Sequence, residues 1–173
     1  MVRQSWKGDT EPYSAWHRTL GDWLTFMDMD AIESQTQPTL SLYIEANKDD
    51  YRPCAFIEVI NINGDCGGEL PRPPSELYKV RPIDTDRHNH KKKILENLNP
   101  LVNVPVFIVW VAWDSIERDD DGVIAEAVPK AFYVREVGSD IGVDMTPKKY
   151  RKFLRAIRGL PVSNGFKFEC LNT

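Results

Sequence analysis

The stretch FIEVINI, residues 56–62, is the pivot of the sequence, because it has the makings of a strand buried on both faces and yet carries a carboxylate at its centre. Phe56, Ile57, Val59, Ile60 and Ile62 suit the interior of a sheet. Glu58 does not, since an isolated buried charge costs many kcal/mol unless it is paired, coordinated or neutralised by protonation. A partner, a bound metal or a proton has to answer for it.

The segments before it alternate. LTFMDMDAIE (24–33) puts Leu24, Phe26, Asp28, Asp30 and Ile32 on one face. LSLYIEAN (40–47) puts Leu40, Leu42, Ile44 and Ala46 on the inward face and Ser41, Tyr43, Glu45 and Asn47 on the outward one. With CAFIEVINI they form an antiparallel meander. Upstream, Trp16, Leu20, Trp23 and Leu24 have helical spacing over 12–24. Downstream, 63–86 is loop chemistry, a helix is predicted over 86–98, and VPVFIVWVAW (104–113) is a buried strand, too short to span a bilayer. ERDDDG (117–122) is a solvated turn, and KAFYVREV (130–137) a returning strand. The final helix has Thr146 as N-cap, Pro147 at its first position and Gly159 as its stop. Its apolar stripe is Tyr150, Phe153, Leu154 and Ile157. The order αβββαββα describes one domain over 1–173, a mixed sheet flanked by helices in the α/β (α+β) class.

Composition narrows the function classes. A chain of 173 residues with 42% hydrophobic and 28% charged content is that of a globular protein, not a disordered or fibrous one. The N-terminal stretch has no apolar signal core, which predicts a cytoplasmic protein. Three cysteines, Cys54, Cys66 and Cys170, without CxxC spacing, suit a reducing compartment and argue against a zinc site. The net charge of −4 speaks against a passive nucleic-acid coat protein, but the charges are unevenly spread. KKYRKFLRAIR (148–158) has six basic residues, and RHNHKKK (87–93) has four plus His88 and His90, which lack Cys or His partners at metal-site spacing.

Asp28 and Asp30, two apart on a strand, project to the same side, and Glu58 sits on a nearby strand. Carboxylates so placed suit Mg²⁺ or Mn²⁺, hard cations that take oxygen ligands, polarise a phosphodiester and activate water. A buried Glu satisfied by an Arg or by backbone donors is the competing explanation.

Four segments then resemble the PD-(D/E)XK nuclease-like superfamily of bacterial and phage proteins: AWHRTLGDWLTFMDMDAIE (15–33), PCAFIEV (53–59), KKKILENLNPLVNVPVFIVW (91–110) and MTPKKYRKFLRAIRGL (145–160). The resemblance implies a restriction-endonuclease-like sheet and DNA as substrate and partner. It places the metal-binding Asp on Asp30 and the Glu of the (D/E)XK element on Glu58, with Asp28 or Glu33 assisting. The Lys of that element falls on Ile60, a departure that bears on catalysis more than on fold. Two substitutes exist. The element shifts to Glu45 and Lys48, although Glu45 is expected to be exposed, or a lysine among Lys91, Lys92 and Lys93 reaches the site. The resemblance also brings His17 and Arg18 near the site, where they suit phosphate or a carboxylate, while Lys148, Lys152 and Arg155 suit backbone phosphates. The reading is a Mg²⁺- or Mn²⁺-dependent deoxyribonuclease. Its alternative is a catalytically inactive nuclease-like domain of phage or plasmid origin that binds nucleic acid or protein, and a homodimer is left open.

Overall fold

The structure is a computed structural model that describes residues 12–20, 25–30, 41–46, 53–62, 93, 95–97, 99–139 and 141–158. Among them, six strands form one sheet in chain order: β1 (Thr25–Asp30), β2 (Ser41–Ala46), β3 (Pro53–Asn61), β4 (Val106–Arg118), β5 (Ile124–Glu136) and β6 (Gly142–Met145). Neighbours are antiparallel except β3 and β4, which run parallel. A parallel junction needs a long crossover. Residues 63–105 supply it, and Lys93 and residues 95–97, inside the predicted helix 86–98, are helical. The class is mixed α/β, as the alternation and helical periods imply.

Both faces of the sheet are covered. Helix α1 (Pro12–Arg18) and helix α2 (Pro147–Ile157) lie over one face, where Tyr13, Trp16, Tyr150, Phe153 and Leu154 pack on Tyr43, Ile57, Val109 and Phe132. Phe132 and Tyr150 stack at 4.1 Å between centroids, and Phe107 meets Phe153 edge-on at 5.0 Å. On the other face Leu95 joins Val106, Ile108, Trp110 and Tyr133. Coverage on both sides explains why β4 reads as a continuous apolar run: Val106 through Trp113 are all buried.

It also corrects the reading of β2. Tyr43 and Glu45, which the alternation places on the solvent side, are buried beneath α1 and α2, whereas Ile44, expected to face inward, is half-buried. Alternation tells which residues share a face but not whether a helix sits on it. The hairpin β4–β5 is longer than predicted, running on to Arg118 and back from Ile124 with register breaks near Trp113 and Glu117. Its tip is the predicted turn: Asp119 Oδ1 accepts from the Asp121 and Val123 amides at 3.1 and 2.8 Å, and Gly122 takes φ 78°. Strand β6 has no signal in the sequence, because four residues, GVDM, are too few to show a period.

Helix α2 matches its sequence signals. Thr146 Oγ1 caps it by accepting from the Lys149 amide at 3.3 Å, and Tyr150, Phe153 and Leu154 are buried with Ile157 packed beside them. The C-cap is Arg158, a side chain able to carry charge into the core, and Gly159, the expected stop, lies outside the described residues.

Candidate functional site

Helices α1 and α2 converge on Glu45 of β2. Tyr13 and His17 are four apart on α1 and therefore lie on one side of it, above β2. Arg158 follows Leu154 by four and so continues the buried side of α2 beyond the helix end. Glu45 is fully buried, His17 is 1% exposed and Arg158 2%. His17 Nε2 donates to Glu45 Oε1 at 2.9 Å, and Arg158 Nε donates to Glu45 Oε2 at 2.7 Å. The Arg158 Nη2 hydrogen bonds to the same oxygen. Both carboxylate oxygens are thus engaged by cationic or donor groups. Beside them the Tyr13 and Tyr150 hydroxyls share a hydrogen bond of 2.8 Å, with Tyr43 packed 4.8 Å from the Tyr13 ring.

The electrostatics follow from this packing. Burial alone pushes the Glu45 carboxyl up, but His17 and then Arg158 outweigh it and hold the group below its ordinary value. It is therefore a carboxylate at neutral pH. Burial holds the Tyr13 and Tyr150 phenols well above theirs, so both are neutral hydrogen-bonding groups. The cluster is an anion enclosed by Arg158, His17 and a phenol pair. A divalent cation at Glu45 would have to displace Arg158 or lie against it.

The strand register decides which of the expected ligands meet. Asp30 pairs with Ser41 and Asp28 with Tyr43, so their positions belong to the face of Glu45. Glu58 pairs with Leu42, whose β1 partner is Met29, and so belongs to the opposite face. The expected joint grip of Asp30 and Glu58 on one cation is corrected by this one-residue offset: the sheet lies between their two positions. Glu58 is fully buried, as its apolar neighbours implied, within the face that carries Leu95 and Ile108. Among the described residues, no group of three or more His, Cys, Asp and Glu is assembled to hold a metal.

Of the remaining candidates, Arg18 is exposed at the end of α1, Lys93 is exposed, and Lys148 is exposed on α2 with Lys149 and Arg151. Lys152 and Arg155, expected in open solvent, are half-buried. Glu33, Lys48, His88, His90, Lys91 and Lys92 lie outside the described residues. His17, expected near phosphate or a carboxylate, meets a carboxylate, that of Glu45. In the sequence Arg158 is only the last charge of a basic run. Its i+4 relation to Leu154 is the signal that it belongs inside.

The chain matches no protein-family model, no curated protein and no solved structure.

Proposed function

We propose that this chain is a restriction-endonuclease-like domain of the PD-(D/E)XK type that is catalytically inactive and serves as a nucleic-acid-binding module. The observation that carries the inactive half is Glu45: the acid that shares a face with the Asp28 and Asp30 positions has both oxygens engaged by Arg158 and His17. A fixed guanidinium there supplies the positive charge that a metal would bring. The chain-order sheet, with helical residues in the crossover between parallel β3 and β4, supports the fold half. Ile60, where the resemblance calls for Lys, points the same way.

Binding is assigned to α2. The helix contains no acidic residue, and Lys148, Lys149 and Arg151 are exposed beside half-buried Lys152 and Arg155. Such a surface neutralises backbone phosphates without reading bases. The test is fluorescence anisotropy with a labelled DNA duplex across a salt series. Expected is salt-dependent binding that weakens when Lys148, Lys149 and Arg151 are replaced by Ala, with the slope falling by about one unit for each phosphate no longer neutralised. Binding with an unchanged slope in that variant would overturn the assignment.

A second reading keeps Mg²⁺- or Mn²⁺-dependent DNA hydrolysis, favoured by one observation: Asp28 pairs with Tyr43, two residues from Glu45, a diagonal that brings two acidic positions together. Plasmid nicking with Mn²⁺, abolished in Asp30→Ala and in Glu45→Gln, would establish it and remove the inactive reading.

A further inference from the structure

An open cleft of about 910 Å³ lies between α1, the β4–β5 arm and the start of α2. Trp16, Ile124, Pro129 and Pro147 line it as apolar surface, and Glu117 and Glu126 stand among its walls. Those two carboxylates are directly paired across the hairpin, β4 to β5, and both are exposed. Like charges opposite one another on adjacent strands destabilise the pair, so this arrangement lacks an internal rationale. Pro147 lines the cleft, and the next two residues of the chain, Lys148 and Lys149, are exposed on α2. Among the described residues, no ion pair joins either Lys to either Glu. An acidic recess and a basic ridge therefore adjoin on one surface.

Adjacency of complementary patches is what an isologous two-fold interface requires, since each copy must offer both halves of the contact. The geometry points to a second copy of this chain as the occupant: the first turn of α2 from one copy, carrying Lys148 and Lys149, seats in the cleft of the other against Glu117 and Glu126, and the reverse contact forms by symmetry. The apolar wall beneath the carboxylates supplies the dry centre of the contact and the charges supply its register. The interface draws on the same helix to which nucleic-acid binding is assigned, so bound DNA and self-association compete for Lys148. Self-association does not depend on DNA binding, because the cleft carboxylates take no part in the latter.

The experiment is sedimentation equilibrium of the full chain without nucleic acid, at low and high salt, with two charge-reversal variants. Glu117→Lys with Glu126→Lys keeps a like-charge pair on the hairpin, and Lys148→Glu with Lys149→Glu changes only exposed positions; circular dichroism checks that both fold. Expected is a wild-type dimer that weakens with salt, and a dissociation constant raised by about tenfold or more in each variant alone. A one-to-one mixture of the two variants should recover the dimer, because one of its two contacts joins the reversed helix to the reversed cleft and is again attractive. A monomer at every concentration, a dimer indifferent to both reversals, or a mixture that fails to recover would each overturn the inference.

Discussion

Glu45 holds its place because two residues from distant parts of the chain, His17 and Arg158, bring donors to its two oxygens. Breaking one partner of such a buried pair leaves the other uncompensated, so Glu45→Gln is expected to cost about 3–5 kcal/mol in urea denaturation. Replacing the whole cluster with apolar residues of similar volume, His17→Leu, Glu45→Leu and Arg158→Met together, should be near neutral or stabilising, because the desolvation of three polar groups is then avoided. A triple variant as unstable as Glu45→Gln would show that the cluster stabilises the fold outright. The acid limb of stability has a definite sign. The folded-state pKa of Glu45 is lowered from its unfolded value, so its contribution is complete above the unfolded value and fades as pH falls through the folded one. Glu45→Gln should therefore flatten the fall in stability below about pH 4.3, the ordinary Glu value, read as urea midpoints across an acid titration.

Helix α2 and the sheet edge show what single elements demand. Thr146 accepts from the Lys149 amide, and Thr146→Ala is expected to cost about 1 kcal/mol, measured by thermal or urea unfolding. At the far edge of the sheet, Gly142 on β6 abuts the ring of Tyr133, whose Cζ and Oη occupy the space that a Cβ would need. Gly142→Ala must push that ring out of its packing with Trp110, where the centroids stand 5.5 Å apart. The expected destabilisation is about 1–3 kcal/mol, the usual range for overpacking. A neutral Gly142→Ala in the same denaturation experiment would mean that β6 yields instead of Tyr133. The elements most legible in the sequence are those with a long period or a chemical punctuation mark: α2 through its cap, proline and stripe, and the hairpin tip through Asp119 and Gly122.

At the scale of the whole molecule, the charge of the described residues is more unevenly spread than the net value of −4 conveys. The β4–β5 arm ends in Asp119, Asp120 and Asp121, all exposed, while α2 exposes Lys148, Lys149 and Arg151. If α2 binds nucleic acid as proposed, its association rate with DNA should fall steeply with salt. A metal response provides the global test of the inactive reading. Thermal unfolding with and without Mn²⁺ is expected to give the same midpoint, whereas a ligand present at about a hundred times its dissociation constant would add about 2.7 kcal/mol. A midpoint raised by Mn²⁺ in the wild type and not in Asp30→Ala would restore the metal-dependent phosphodiesterase. No helix among the described residues is long and apolar enough to cross a membrane.

The mixed α/β class, the meander β1–β3, the buried strand β4 and the capped helix α2 are all legible in the amino-acid order, because periods of 2 and 3.6 and cap chemistry are local properties. Glu58 is likewise marked as buried by the apolar residues on both sides of it. The chemistry of the acids is a matter of tertiary packing. The strand pairing assigns the Asp30 and Glu58 positions to opposite faces, which the sequence does not show because register, a relation between strands, is invisible within either strand. Glu45 is buried because two helices, remote in sequence from β2, close over its face and deliver His17 and Arg158 to it. A period shows which side chains travel together; what stands opposite them is set by packing between segments that are far apart in the chain.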